Sequence, residues 1–500
     1  MAAIADHILR ATQAGGRLTA IDFEGRLLSW QQLSAAIDDL STVLGHQGVG
    51  DDKMVGLLGR NRLEAVSAFI AILGADHAMV LINAIRPTRL IAEEVAELNL
   101  ACLIGEREDL GSDVVAAARA SGTLVIAVDV TPDGVFFETL TPLGGQAHRL
   151  RPVGTLIEIQ TSGTTGAPKR IPVSEHTISA SLRDGVRSAK GTVENFELKP
   201  QTSPTLMFSP LVHTSGTFNT LMSVFEVRPI VLFEKFDAQH YRQALIKYRP
   251  KFAPLPPTAI KMMVDSDATR EDFASVRAVR AGTAPLSVEL QEAFESRFGV
   301  PVLTTYGATE FMGVVTSWTL DDHRLHAHTK RGSVGRVSKG VQLRIVDPAS
   351  RAELPVGEQG ILEAKLERID GGASWIATTD LARLDEDGFL YIVGRADDAI
   401  IRGGFKVMAG KVAEALKQFP GVYDAIVLGL DDERLGQVPV AVVEAYPGSE
   451  LDGEAIRAFA KQRLSPYEVP VRVHVVSRLP RTVSDKISRP AVKELLAQLG

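Results

Sequence analysis

Thr161-Ser162-Gly163-Thr164-Thr165-Gly166-Ala167-Pro168-Lys169 is the stretch from which the rest of the chain is read. It follows a short apolar, β-prone run, Leu156-Ile157-Glu158-Ile159, and precedes a helix-like segment near Ile178 to Val186. Hydroxyls, glycines and one lysine in so short a space make a flexible loop rich in donors. Backbone N–H groups, side-chain hydroxyls and the Lys169 ammonium can all converge on anionic oxygens, as polyphosphate binding requires. The spacing Gly-x-x-Gly-x-x-Lys is not that of a Walker A loop, which ends in Gly-Lys-Ser/Thr. Composition alone fits a second reading, a Ser/Thr/Gly surface linker.

Working outward, 500 residues provide for roughly two to four domains with real cores. The 45% hydrophobic and 23% charged fractions are those of an ordinary globular protein. A net charge of −7 without a basic run argues against a nucleic-acid binder. Cys102 is the only cysteine, so no intramolecular disulfide and no Cys-based zinc site is available; in Ala-Cys-Leu-Ile it reads as a small buried apolar residue. The N-terminus lacks the basic start and apolar core of a signal peptide. The most apolar stretch, Ala65 to Ile82, is broken by Gly74, Asp76 and His77 and reads as a helix then a strand, not a membrane span. The expectation is a cytoplasmic chain with no membrane partner.

Ser29-Trp30-Gln31-Gln32 reads as a capping box before a helix carrying Leu33, Ile37, Leu40 and Leu44, stopped by Gly45 and the turn at Gly48. Met54–Leu58 reads as a buried strand, and Asn61 as the cap of a second helix. Apolar runs at 78–82, 101–104 and 124–128 continue a strand–helix alternation, which implies a mostly parallel α/β sheet buried on both faces. Strands are expected at 205–209, 230–233, 276–281 and 302–305, and helices at 238–248, 257–264 and 287–298. Residues 331–366 read as antiparallel β. From 399 to 476 the pattern is strand-helix-strand-strand-helix-strand, a small α+β module. The fold class is therefore α/β: a large N-terminal domain, 1–395, and a small mobile C-terminal domain, 396–500. His323, His326 and His328 match no standard zinc spacing and read as a solvated loop.

Further motifs follow the loop in order. They are Pro210-Leu211-Val212-His213 with Gly216, Gly282-Thr283-Ala284-Pro285, and Tyr306-Gly307-Ala308-Thr309-Glu310. Thr378-Thr379-Asp380, Gly394-Arg395-Ala396-Asp397, Gly403-Gly404 and Pro480-Arg481-Thr482 through Lys486 come later. With Ser-Gly-Thr-Thr-Gly-x-Pro-Lys, the set resembles the adenylate-forming superfamily of acyl-CoA synthetases, peptide-synthetase adenylation domains and beetle luciferases, and is most like acyl- or aryl-CoA ligases.

The resemblance implies ATP, Mg²⁺ and coenzyme A. Thr161, Ser162, Gly163, Thr164, Thr165, Gly166 and Lys169 would cradle the phosphates, with Gly282, Thr283, Ala284, Tyr306 and Gly307 along the adenine. Thr309 would meet the α-phosphate, Glu310 would hold Mg²⁺, and His213 would lie near the substrate carboxylate. Asp380 would accept from both ribose hydroxyls, with Arg395 on ribose or phosphate. Lys486 would be the lysine of adenylation, Asp397 the hinge, and Gly403 and Gly404 the thiol tunnel.

Three departures stand out: Thr379 and Asp485 where the family has glycine, and Ala409-Gly410-Lys411 in place of Pro-x-Glu. A mostly apolar pocket around Val212, Phe218 and Met312, with no aspartate near 208–212 for an amine, favours an aromatic or medium-length aliphatic acid over an amino acid. Alternatives are an amide synthetase or carrier-protein ligase, a luciferase-like oxygenase, and a nucleotide-binding protein disabled by Asp485.

Overall fold

The computed structural model describes residues 3–499 apart from 146, 162–168, 191–196, 397–398, 403–404, 433 and 483–485. By contacts the chain divides into two compact units. The first is Met1–Val315 with Thr319–Arg324 and Glu367–Gly371; the second is Thr316–Trp318, Leu325–Leu366 and Gly372–Gly500.

The first unit is built on a seven-stranded sheet in the order Gly134–Thr141, Leu124–Thr131, Cys102–Glu106, Met54–Gly59, Ala78–Asn83, Thr155–Thr161, Lys169–Ser174. Its interior pairings are parallel and its two edges antiparallel. Met54–Gly59 and Ala78–Asn83 are buried at every position, which is why they read as continuous apolar runs with no alternation. Cys102 is buried in the same sheet, and burial pushes its thiol pKa up. A second sheet joins Thr205–Met207, Ile230–Leu232, Thr19–Phe23 and Arg26–Ser29. A third sets Phe252–Pro254, Ala278–Ala281 and Val302–Ala308 parallel, with the helices Ala238–Tyr248, Pro257–Asp265 and Val288–Phe298 between strands.

The capping box is present: Ser29 Oγ accepts from Gln32 N at 3.2 Å and Gln32 Oε1 accepts from Ser29 N at 2.8 Å. That helix runs through Gly45 and ends at Gln47, with Gly48 left-handed at φ 77°. Two local expectations change. Asn61 caps no helix, because Leu63–Gly74 starts from Arg62 without a side-chain cap. The expected loop-to-helix step after Lys169 contains a further strand, Lys169–Ser174, before the helix Glu175–Lys190.

The second unit holds an antiparallel sheet of Val341–Val346, Gln359–Leu366, Ile376–Leu384 and Leu390–Arg395. A further sheet joins the hairpin Ala399–Arg402/Phe405–Met408 to Gly436–Ala445 and Val422–Asp432, with Arg472–Val476 beside Gly436–Ala445. The sequence showed one strand where this hairpin stands. Ala396 and Met408 pack on Val346, Ile361 and Leu381, so both sheets share one contact unit.

Two of the three histidines correct another expectation. His323 and His326 belong to no solvated loop but to a short helix, Leu320–His326, while His328 lies in the exposed turn that follows. His323 Nε2 lies 2.9 Å from Glu295 Oε1, and His326 packs edge-on to Phe389. Among the described residues no helix is long and apolar enough to cross a membrane.

Candidate active site

In the first unit the site residues collect where parallel strands end at their carboxyl edge, the place an open α/β sheet offers a ligand. The loop after Thr205–Met207 turns at Pro210, whose carbonyl accepts from His213 N at 3.0 Å, and enters the helix Thr214–Phe225. Gly216 has a steric cause. A Cβ there would sit 2.1 Å from Pro210 O and 2.8 Å from Leu211 N, so only glycine lets the helix close on its own entry loop. Thr217 Oγ1 donates to Leu211 O at 2.8 Å.

Asn61, 3% exposed, ties the loop down from the end of another strand. Its Oδ1 accepts from Leu211 N at 2.7 Å, and its Nδ2 donates to Ser209 O at 3.0 Å and Phe233 O at 3.3 Å. His213 is thereby delivered half-buried, in extended conformation at the N-cap.

Ala281 lies opposite Thr304 in parallel register. Gly282 passes so close to the next strand that a Cβ would meet Thr305 Oγ1 at 2.7 Å. Thr283 then adopts φ 70°, a rare conformation for a β-branched residue and a mark of strain held by its surroundings. Thr283 and Ala284 are exposed, as is Gly307, while Tyr306 is half-buried. A Cβ on Gly307 would meet Gly313 O at 2.4 Å. Thr309–Phe311 form a 3-10 turn that leaves Glu310 exposed, and Thr214 Oγ1 donates to Thr309 Oγ1 at 2.9 Å. That bond brings the His213 segment and the Thr309–Glu310 turn together. Val212 and Met312 are buried in one apolar cluster, and Phe218 packs on it.

The donor set suits Mg²⁺. Among the described residues no three acidic or histidine groups form a cage, and one accessible carboxylate is what a cation carried mainly by phosphates and water needs.

In the second unit Asp380 and Arg395 face each other across two strands. Arg395 Nη2 donates to Thr379 Oγ1 at 2.5 Å, so the residue standing in for glycine holds the arginine. Asp380 N donates to Thr378 Oγ1 at 3.0 Å. Thr482 pins the lysine loop: its N–H donates to Lys486 O at 2.6 Å and its Oγ1 accepts from Lys486 N at 3.3 Å. Arg481 anchors the same loop to Asp424 at 2.7 Å and Glu444 at 3.3 Å. Lys486 keeps solvent contact, yet the protein packed around it, and secondly the Arg395 guanidinium, hold its pKa below the ordinary lysine value. Lys411 of the departure Ala409-Gly410-Lys411 pairs with Glu468 at 2.6 Å.

Thr161 and Lys169 are strand ends in register with one another, so the chain leaves and re-enters the sheet at one place. Ser162, Gly163, Thr164, Thr165, Gly166, Asp397, Gly403, Gly404 and Asp485 lie outside the described residues. Sequence reasoning singled out neither Thr214 nor Asn61 for this site. Only Thr214, next to the motif histidine, carried a local signal.

Residues 9–365 match the family model described as AMP-binding enzyme, and residues 411–486 match the AMP-binding enzyme C-terminal domain. The chain belongs to the AMP-binding enzyme family. This AMP-binding enzyme is 28% identical over 504 residues to indoleacetate–CoA ligase of Aromatoleum aromaticum, covering 96% of this chain and 95% of that one. It is 33% identical over 352 residues to 4-coumarate–CoA ligase-like 5 of Oryza sativa subsp. japonica, covering 69% of this chain and 63% of the relative. In fold it is similar to ATP-bound MatB of Rhodopseudomonas palustris, with TM-score 0.83, 23% identity and 99% of each chain covered. The amide bond synthetase McbA of Marinactinospora thermotolerans gives TM-score 0.79 and 23% identity, over 99% of this chain and 100% of that one.

Proposed function

We propose that this chain is an AMP-forming carboxylate–CoA ligase acting on an aromatic or medium-length aliphatic acid. One observation carries the reading: the Thr214–Thr309 hydrogen bond joins the His213 loop to the Thr309–Glu310 turn, in a chain whose residues 9–365 match the AMP-binding enzymes.

In the first half-reaction a carboxylate oxygen attacks the α-phosphorus of ATP, the bond to the pyrophosphate oxygen breaks, and an acyl-adenylate forms. In the second, a coenzyme A thiolate attacks the acyl carbon and AMP leaves. Thr309 and the loop from Thr161 to Lys169 bind phosphate oxygens, Tyr306 packs on the base, and Asp380 and Arg395 take the ribose side. Mg²⁺ held at Glu310 would neutralise phosphate charge. Lys486 stabilises charge that grows at the carboxylate and α-phosphate in the transition state. His213, at the N-terminal end of its helix, lies where a carboxylate is favoured. Residues 396–500 turn about Asp397 between the halves, withdrawing Lys486 and presenting Gly403 and Gly404.

Val212, Met312 and Phe218 make the acid's surroundings apolar, and two relatives are named for the ring-bearing acids indoleacetate and 2-succinylbenzoate. The test is a panel of carboxylic acids with MgATP, with and without coenzyme A, read by mass spectrometry. Acyl-CoA from aryl or medium-chain acids, only when coenzyme A is present, is expected. AMP release without acyl-CoA would move the second half to an amine or carrier-protein acceptor, and preference for α-amino acids would overturn the substrate class.

A further inference from the structure

The turn that carries Thr309 and Glu310 is closed from behind by a residue distant in sequence. After Phe311 the backbone goes left-handed at Met312, φ 41°, and then to φ 155° at Gly313. Two carbonyls flank this reversal. Arg368, from the short helix Glu367–Asp370, donates from Nε to Phe311 O at 3.0 Å and from Nη2 to Val314 O at 3.1 Å. The guanidinium lies against Gly313, about where a Cβ would touch it at 3.5 Å. Its third nitrogen, Nη1, is 3.6 Å from Asp184 Oδ2, and Asp184 Oδ1 accepts from Arg187 Nη1 at 3.0 Å.

Arg368 is 5% exposed. An arginine so buried is retained only with its charge paired and its donors used, and here the donors clamp both ends of one reversal. The planar fork is what the geometry needs. A lysine could serve one carbonyl but could not hold two of them and a carboxylate in fixed directions.

We infer that Arg368 is a positioning residue for the metal–phosphate turn: by clamping Phe311 and Val314 it sets the shape in which Glu310 is presented to a divalent cation. This rests on the reading of Glu310 as the Mg²⁺ carboxylate. Asp184 acts one step further out, by orienting the guanidinium.

Mn²⁺ binding by the intact chain in the presence of ATP, followed by electron paramagnetic resonance, reads the metal directly without turnover. Arg368→Met is expected to weaken Mn²⁺ binding about tenfold to a hundredfold, on the scale of hydrogen bonds made by a charged donor. Arg368→Lys should lose less, Asp184→Asn should shift affinity in the same direction, and metal-free ATP binding should hold within about twofold. Glu310→Gln, run alongside, tests the underlying reading: unchanged Mn²⁺ binding in that variant removes the metal assignment itself. If Glu310→Gln loses the metal while folded Arg368 variants bind it as wild type does, the positioning role is overturned. Equal loss of metal-dependent and metal-free nucleotide binding also overturns it, leaving Arg368 a purely structural clamp. Should Arg368→Met not fold, Arg368→Lys and Asp184→Asn decide the question in the same assay.

Discussion

Two clusters in the first unit both sit at the carboxyl ends of parallel strands, and they differ in what they do with charge. Where Met54–Gly59, Cys102–Glu106 and Leu124–Thr131 end, Arg26, Arg62, Glu64, Glu106, Glu108 and Glu234 line a cavity of about 250 Å³. Its charges answer one another: Arg62 pairs with Glu106, Glu108 and Glu234, Arg60 with Glu108 and Asp109, and Arg26 with Glu64. Where Ala278–Ala281 and Val302–Ala308 end, there is one exposed carboxylate, several hydroxyls, two strained backbone positions and glycines enforced by close approach. The first cluster ties its charges up in ion pairs; the second leaves Thr283, Gly307 and Glu310 exposed. A strand's carboxyl end invites a ligand where its carboxylate and its glycine-lined backbone stay open to solvent instead of being locked in ion pairs. The tripeptide Arg60-Asn61-Arg62 serves both regions, its arginines in the first and its asparagine on the loop of the second.

The largest effect is expected at Lys486. Lys486→Ala should slow adenylate formation about a hundredfold to a thousandfold, while thioester formation from a supplied adenylate survives. Equal loss of both half-reactions, measured by pyrophosphate release and acyl-CoA formation, would sink the division of labour. Because its pKa is lowered, the ammonium deprotonates at a lower pH than an ordinary lysine. The alkaline decline in adenylation of wild type therefore begins correspondingly early.

Asn61→Ala comes next. It leaves Leu211 N–H and two carbonyls without their partner, costing about 1–3 kcal/mol for each orphaned buried group. The KM for the acid should rise more than the KM for ATP; a uniform fall in activity that merely tracks Tm would make Asn61 scaffold only.

The smallest effect on turnover is expected from the self-paired cluster. Glu106 is pushed up to about 7 from 4.5, by burial first and then by Asp109 and Glu64, against the pull of Arg62 and Arg60. A folded-state pKa above the unfolded one gives stability that is full below about pH 4.5 and is lost as pH rises through 7. Glu106→Gln should remove that dependence. In denaturant titrations the variant's stability should gain on wild type between about pH 5 and 8, by at most about 3 kcal/mol, with adenylation within about twofold of wild type. A large loss of adenylation would erase the distinction between the two regions.

Much of the site is legible in the order of residues alone. Gly216, Gly282 and Gly307 stand in recognisable spacings, and each spacing proves to be a steric requirement with a named partner atom. The capping box and the helix Ala238–Tyr248 are equally plain, since both follow from local bonding and a 3.6-residue period. What stays hidden is non-local. Asn61 looks like a helix cap because asparagine before an apolar helical run usually is one, yet its bonds go to Ser209 and Leu211, 148 and 150 residues away. The strand Lys169–Ser174 escapes a reading of the sequence because it is a short edge strand with only Ile171 and Val173 apolar and Pro172 between them, which argues against a strand.

Which chemistry the chain can carry is written in its residue order. Hydroxyls, glycines, the carboxylates Glu310 and Asp380 and the lysines Lys169 and Lys486 stand in an order that short-range geometry already constrains. How those groups are held follows from packing between distant segments. Thr214 meets Thr309 across 95 residues, Arg368 reaches Phe311 across 57, and Thr379 rather than glycine holds Arg395. Such bonds depend on which carbonyls and hydroxyls the folded backbone brings within reach of a distant donor, and for a buried one such as Phe311 O the need for a partner exists only once the segments have packed.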